Sequence, residues 1–257
     1  MCKVIENRSC FILWIILSSI GYCSLYSELY AQANEVFRWD LRVGFIKFGE
    51  GTGDISTNSD SLMTHMNFEA QSTGIFKTLY NAHYMFKSDV SSLDGLPIRS
   101  ARVVKEKKYS NTNHVLFDHL SHPDSSVIIS DLSGEKKVSK NCFDIISGMS
   151  YFRNQCIDSC RKMNQTMCIK TYFSDEEWDL KLKFKKQEII PTIWGDQPCL
   201  AFEIRTEVGR FFKKNDDVTI WFTDDPLHIP VKVRIKFTLY SVDARLTEYY
   251  NNKIENM

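Results

Sequence analysis

The sequence predicts a mainly β protein, in which a single antiparallel sheet curves into a partly open β-barrel or a two-layer β structure. Two observations carry this prediction. Apolar and polar residues alternate along at least five long segments, and a stretch with helical spacing interrupts them near the middle of the chain. The 257 residues are 43% hydrophobic and only 25% charged, which excludes a wholly disordered chain.

The alternation gives each predicted strand one apolar and one polar face. This is typical of antiparallel sheets, because the strands of parallel sheets are usually buried on both sides. The clearest segments are 37–45, 62–70, 178–184, 200–208 and 231–239, and further strands are expected at 83–90, 98–108, 113–119, 125–130 and 167–173. So many strands must curl, close or split into two layers. The alternation changes phase near Ser241, where we expect a bulge or a tight turn.

Two segments have helical spacing. Residues 75–80 suggest one or two helical turns. Apolar residues and cysteines recur every three or four positions around 143–163, which predicts a short amphipathic helical insert with a break after Arg153. We expect this insert to interrupt a single domain and not to separate two domains.

The N-terminus has the features of a secretory signal peptide. Lys3 and Arg8 precede an apolar run at 11–17, and Ala31-Gln32-Ala33 matches a cleavage pattern. We therefore expect a signal peptide at 1–33 and a single β-rich domain at 34–257. A retained membrane anchor or a lipid on Cys23 are the alternatives.

Composition also limits the partners of this domain. No later segment is apolar over the roughly 20 residues that a membrane helix needs, so we expect no transmembrane segment after cleavage. Lys+Arg and Asp+Glu both number 32, and this zero net charge argues against a nucleic-acid partner.

Three cysteines lie close together in sequence, at Cys156, Cys160 and Cys168. On a helix, the first two would face the same side, one turn apart. A disulfide is possible in an exported protein, and packing of the thiols in the apolar stripe is an equal alternative. A metal site is the least favoured interpretation, since no histidine lies near these cysteines in the sequence.

The segment from Trp221 to Pro230 contains adjacent carboxylates, Asp224 and Asp225. Such a pair could bind a cation or act as acid and base. Neighbouring residues on a strand point to opposite faces, however, and Asp with Pro is typical of a turn, so a turn is the favoured interpretation. None of the common hydrolase, metalloprotease or nucleotide-binding motifs is present. We therefore expect that the protein is not an enzyme and binds no cofactor or metal.

Short motifs along the chain resemble one family in their order and spacing. They are Gly44-Phe45-Ile46-Lys47-Phe48-Gly49-Glu50, Asp144-Ile145-Ile146-Ser147, Trp221-Phe222-Thr223-Asp224-Asp225 and Ile229-Pro230-Val231. The chain resembles, over about 35–250, the exported bacterial family catalogued as domain of unknown function 3108. The resemblance implies a β-rich protein of the periplasm or cell envelope of a Gram-negative bacterium, and it implies no catalytic residues.

Together these features predict an uncharacterised exported envelope protein that binds an apolar or lipid-like component without catalysis. The inner face of the curved sheet, including Trp39, Phe45, Phe68 and Phe237, would hold the ligand. One alternative is a structural or partner-binding periplasmic module without a pocket, and a less favoured one is an envelope hydrolase. Two basic rows, at 105–108 and 181–185, could meet lipid headgroups or acidic polysaccharide, but a solvated strand face is the favoured interpretation.

Overall fold

The computed structural model describes residues 35–58, 62–206, 217–237 and 239–252. The signal peptide expected at 1–33 lies outside these residues. Within them, the chain forms fourteen β-strands and three short α-helices, and a π-helical turn joins the last two helices. The predicted mainly β fold with a short helical insert is confirmed.

The bounds of the elements are as follows. The strands are β1 (Glu35–Val43), β2 (Ile46–Asn58), β3 (Met63–Ser72), β4 (Ala82–Ser91), β5 (Pro97–Glu106), β6 (Tyr109–Asp118), β7 (Ser125–Ser130), β8 (Gly134–Ser139), β9 (Thr166–Phe173), β10 (Glu176–Thr192), β11 (Gly195–Thr206), β12 (Asp217–Thr223), β13 (Pro230–Lys236) and β14 (Ser241–Asn251). The helices are α1 (Gly74–Leu79), α2 (Ile145–Tyr151), the π-helical turn (Phe152–Cys156) and α3 (Ile157–Met163).

All fourteen strands belong to one antiparallel sheet, in the spatial order β8-β7-β6-β5-β4-β3-β2-β1-β14-β13-β12-β11-β10-β9. From β1 at the centre, successive antiparallel neighbours lead outward to one edge, β8. The chain then passes through residues 145–163, which we call the helical segment, to the other edge, β9. It returns by successive neighbours to β14, which pairs with β1 from Glu35↔Asn251 to Val43↔Val242.

The two edges of the sheet approach each other. The Phe143 backbone N–H donates to the carbonyl of Lys170 at 2.8 Å, and the Tyr172 N–H donates to the carbonyl of Phe143 at 2.7 Å. The Ser139 N–H donates to the Glu177 carboxylate at 2.8 Å. These few bonds join the edges without a continuous ladder, so the sheet forms a nearly closed, barrel-like structure.

The helical segment packs against the inner face of the sheet. The Asp144 carboxylate caps α2, because it accepts from the backbone N–H groups of Ile146 and Ser147 at 2.9 and 3.1 Å. Phe152 and Ile157 are buried against strands β9–β12. The partners in this largest apolar cluster are Ile169, Leu180, Leu182, Leu200, Phe202, Ile220 and Phe222. The break expected after Arg153 lies within the π-helical turn.

The short helix expected at 75–80 is α1, which confirms that prediction. The strand expected at 231–239 is too long, because β13 ends at Lys236. The Phe237 N–H then donates to the Tyr240 carbonyl at 2.8 Å and closes a tight turn, with Leu239 92% exposed at its tip. The tight turn expected near Ser241 is therefore present, and it begins earlier than the alternation suggested.

The connections between strands lie at two opposite ends of the barrel. We call the end with the β1–β2 turn the Phe45 end, and the opposite end, with the β6–β7 loop, the Leu120 end. The helical segment lies towards the Leu120 end, because Arg153 contacts both Glu35, the first residue of β1, and Leu227, between β12 and β13.

Candidate functional site

Strand register identifies which side chains line the inner face. Ile220 packs in the cluster of the helical segment and lies directly opposite Val233. Val233 is opposite Ala244, and Ala244 is opposite Leu41. Directly opposite residues share one face of a sheet. The inner apolar face therefore continues from the helical segment across β13, β14 and β1.

Burial along this face differs between the two halves of the barrel. Towards the Leu120 end, Phe37, Val231 and Leu246 are 1%, 4% and 6% exposed. Towards the Phe45 end, the corresponding apolar side chains are only partly buried. These are Leu41, Val233, Ile235, Val242 and Ala244. Phe37, Val231 and Leu246 pack in a second buried cluster with Trp221, and Val233 packs at the margin of the helical segment's cluster. The inner face is therefore fully buried towards the Leu120 end and partly exposed towards the Phe45 end.

An aromatic cluster lies between these two halves. The Trp39 ring stacks on Phe37 with centroids 5.3 Å apart, and it lies 6.0 Å from the ring of Phe68. Glycines on β2 make room for these rings, since a Cβ on Gly53 would lie 2.6 Å from the Phe68 ring. The structure thus brings together two of the four residues predicted to bind ligand, Trp39 and Phe68. Their role in binding stays a prediction.

The other two predicted ligand residues lie elsewhere, which corrects their placement on the inner face. Phe45 is 88% exposed in the β1–β2 turn, after Gly44 with a φ of 60°. Phe237 lies beyond the end of β13 and packs on Tyr240, with ring centroids 5.0 Å apart. In both cases the alternation continues in sequence past the point where the strand ends.

An open groove of about 330 Å³ lies near the Leu120 end of the described residues. Its lining residues are Val36, Ile193, Glu248, Tyr249 and Tyr250. A smaller cavity of about 30 Å³ lies between the start of the helical segment and β4–β6, with Arg102 and Asp175 in its wall. The smaller cavity has room for about two water molecules and none for a lipid chain.

The Trp221 indole is 6% exposed, and its N–H donates to Glu188 at 2.8 Å. The Lys232 ammonium lies 4.8 Å from the centre of the Trp221 ring, in a cation–π contact. Asp224 pairs with Arg161 and accepts from the Gln187 amide at 2.6 Å. Trp221 and Asp224 therefore hold β10, β12 and the helical segment together.

Asp225 and Pro230 complete this motif. The Asp225 carboxylate accepts from the Leu227 N–H at 2.8 Å, and its carbonyl accepts from the His228 N–H at 3.1 Å. Pro230 begins β13, and its carbonyl accepts from the Trp39 indole N–H at 3.3 Å. The segment forms the turn that the sequence favoured, and the carboxylates of Asp224 and Asp225 have different partners.

The five cysteines that the structure describes are all free thiols. Cys156 and Cys160 are buried in the cluster of the helical segment, as the packing alternative predicted. Cys168 is exposed on β9. No disulfide joins these three residues in the structure, and the disulfide alternative stays a prediction.

Sequence reasoning missed a buried ion pair. Arg153, 8% exposed, donates to both carboxylate oxygens of Glu35 at 2.9 and 2.7 Å. It also donates to the carbonyls of Leu227 and His228. The position of Arg153 within an apolar helical stripe was the available sign of a buried cation. No sequence pattern could connect Arg153 with the carboxylate of Glu35, which lies 118 residues away.

Sequence reasoning also missed a polar cluster near the junction of the two edges. Asp175 lies in the β9–β10 turn, and its Oδ1 accepts from the Ser130 hydroxyl, the Ser133 hydroxyl and the Asn113 amide at 2.5–3.1 Å. Burial alone raises the pKa of Asp175, but these hydrogen bonds outweigh it, and the pKa lies below its usual value. The cluster connects the β9–β10 turn with β6 and β7.

Among the described residues, no group of three or more His, Cys, Asp or Glu side chains is arranged to hold a metal ion. In the same part of the chain, no helix combines the length and apolar character that crossing a membrane requires.

The described residues form a barrel-like sheet with a helical segment against its inner face, and a solved structure has a similar overall fold. That structure is a β-barrel-like protein of domain of unknown function 1849 from Brucella abortus, with a TM-score of 0.58 and 10% identity over 86% of this chain and 98% of that one. A provisionally named lipoprotein from Parabacteroides distasonis has a TM-score of 0.35 and 9% identity, over 85% and 95% of the two chains.

The family profile described as "Protein of unknown function (DUF3108)" matches residues 37–247. The chain belongs to this family, as the order of its motifs predicted. No curated protein matches the sequence.

Proposed function

We propose that the protein is an exported, non-enzymatic binding protein that holds an apolar or lipid-like molecule against its inner face. The observation that carries the proposal is the partial exposure of inward-facing apolar side chains, such as Leu41 and Val233, between the helical segment and the Phe45 end. Water in contact with a concave apolar surface is displaced favourably by an apolar ligand, and barrels commonly bind ligands in this way.

The environment of the candidate nucleophiles and acids supports binding without catalysis. Burial raises the pKa values of Cys142 and Cys156, and that of Cys199 to about 11, which disfavours the reactive thiolates. Asp224 and Asp225 have separate structural partners and do not face a shared site.

Export is the second part of the proposal, and the leader-like sequence at 1–33 supports it. Fractionation of native cells, with N-terminal sequencing of the protein, tests this part. We expect the protein in the envelope fraction with a new N-terminus near residue 34. A cytoplasmic protein that retains Met1 would contradict export.

The binding site is tested by filling it. Ala244→Trp places an indole between Leu41 and Val233, and Thr52→Trp, at an exposed position on β2, is the control. N-phenyl-1-naphthylamine is the fluorescent probe, and native mass spectrometry of protein from its own cells detects a retained ligand. We expect Ala244→Trp to weaken probe binding at least tenfold and the control to leave it unchanged.

Equal probe binding by both variants would reject the inner face as the site. Ile193→Ser then locates the alternative, because Ile193 lines the open groove near the Leu120 end. A native protein that carries no ligand and binds no probe would instead favour the partner-binding module.

A further inference from the structure

Exposed apolar side chains gather around the Phe45 end on separate connections. Phe45 and Ile46, in and beside the β1–β2 turn, are 88% and 47% exposed. Ile75 and Leu79, on α1 between β3 and β4, are 68% and 63% exposed. Leu239, between β13 and β14, is 92% exposed. Exposed apolar side chains also occur at the Leu120 end, among them Leu93, Leu120 and Trp194. Several exposed apolar side chains at one end of a barrel are a possible contact surface, and the charges beside them distinguish the two ends.

Helix α1 is the clearest part of this surface, because none of its residues is buried. Ile75 and Leu79 are four residues apart and so share one face of the helix, which points to solvent. On another face, the Phe76 ring lies 6.4 Å from the Phe48 ring and fixes the helix to β2. A helix this short is not stable alone, so the sheet holds its apolar face outward.

Lysines lie on and beside α1 at the Phe45 end. Lys77 lies on α1, and Lys105, Lys107 and Lys108 lie at the end of β5 and in the turn that follows. Within the described part of the chain, these four have no carboxylate at ion-pair distance, and Lys107 instead lies over the Tyr80 ring at 5.3 Å. Two carboxylates, Asp131 and Asp175, lie farther round the Phe45 end, in the β7–β8 and β9–β10 turns. The connections at the Leu120 end carry more carboxylates. These include Asp94, Asp118, Asp196 and Asp225.

From this arrangement we propose that the Phe45 end docks on the surface of a lipid bilayer with anionic headgroups. The exposed apolar side chains at this end, which we call the apolar tips, enter the boundary between headgroups and acyl chains, and the lysines contact the phosphates. Their long apolar stems suit this depth, since they can lie along lipid while the ammonium stays at the headgroups. Lysine is depleted at protein–protein interfaces, so its abundance on and beside α1 favours lipid over a protein partner.

Co-sedimentation with vesicles tests the docking surface. The protein purified from its own cells is mixed with vesicles of phosphatidylcholine alone, or of equal parts phosphatidylcholine and phosphatidylglycerol. The paired change Phe45→Ser with Leu79→Ser removes two tips, and we expect a loss in partitioning of about 100-fold, roughly tenfold for each side chain. The matched control is Leu93→Ser with Leu120→Ser, 79% and 93% exposed at the opposite end, and we expect it to partition as the unmodified protein does.

The charge requirement is tested by changing Lys105, Lys107 and Lys108 to Gln. We expect about 100-fold weaker binding to the anionic vesicles at low salt, from roughly fivefold for each lysine. The control changes Lys181, Lys183 and Lys185 on β10 to Gln, which alters the net charge equally on the side of the barrel. Unchanged far-UV circular dichroism confirms that each variant is folded.

Two results would overturn the docking proposal. One is an unmodified protein that does not bind anionic vesicles, and the other is an equal loss of binding in the test and control variants. Binding of N-phenyl-1-naphthylamine by the same variants distinguishes a failure of the docking proposal from a failure of the proposed ligand binding. A variant that no longer binds vesicles but still binds the probe has lost membrane docking and has kept the ligand site.

Discussion

The ion pair between Arg153 and Glu35 makes the strongest stability prediction. The guanidinium connects the helical segment to the first residue of β1 and to the carbonyls of Leu227 and His228. It also lies over the Phe37 ring, 5.6 Å from the ring centre. Arg153→Met keeps much of the apolar stem, but it leaves the largely buried Glu35 carboxylate and two carbonyls without these donors.

Removing one partner of a buried ion pair typically costs about 3–5 kcal/mol. The Tyr249 hydroxyl still donates to Glu35 at 2.8 Å in the variant, so we expect the lower end, about 3 kcal/mol. Glu35→Gln alone removes one charge and leaves the guanidinium buried. We therefore expect the double variant to lose about 2 kcal/mol less than the sum of the two single losses.

Urea unfolding followed by tryptophan fluorescence measures these free energies. Arg161→Met is the control, because the side chain of Arg161 is 36% exposed in its pair with Asp224, and we expect a loss below about 1 kcal/mol. The reasoning fails if Arg153→Met costs no more than this control, or if the two single losses simply add in the double variant.

Three further predictions concern packing, pH and thiol exposure. Gly49→Ala should lower the free energy of unfolding by about 2 kcal/mol, because the added Cβ would lie 2.6 Å from a backbone carbonyl oxygen. In the same urea experiment, Gly51→Ala should cost little, since its Cβ would lie 3.5 Å from its nearest neighbour. Burial lowers the pKa of His119, so the unfolded chain takes up a proton that the folded protein resists, and the free energy of unfolding should fall as the pH drops below about 6.5. His119→Gln should flatten this dependence, and an unchanged slope would contradict it. In a chain that starts at residue 34, Ellman's reagent should label the exposed thiol of Cys168 faster than the four buried thiols, and Cys168→Ser should abolish this fast phase. If fewer than five thiols react after unfolding without reductant, the protein contains a disulfide.

Much of the fold could be predicted because alternation along a strand reports directly on burial. The residues from Phe37 to Val43 form β1 with the expected faces, and the spacing from Ile145 to Met163 marks the helical segment. Both patterns are local consequences of backbone geometry. They require no knowledge of which strands become neighbours.

The position of strand ends could not be predicted in the same way. Phe45 and Phe237 continue the alternation, but the chain turns before each of them, and a turn changes the direction of a side chain without changing the sequence pattern. The path of the helical segment across the inner face was also hidden, because it depends on contacts such as Arg153 with Glu35 between distant parts of the chain. For Cys156 and Cys160, the spacing alone could not distinguish a disulfide from packing.

The pairing of β1 with β14 has a consequence for biosynthesis. As the polypeptide leaves the ribosome, each strand from β2 to β8 can pair with the strand synthesised just before it, and each strand from β10 to β14 can do the same later. The pairing of β1 with β14, at the centre of the sheet, can form only after β14 has been synthesised. A product truncated before β14 would consist of two half-sheets connected by the helical segment, and the unpaired edge strands β1 and β13 would be prone to aggregation.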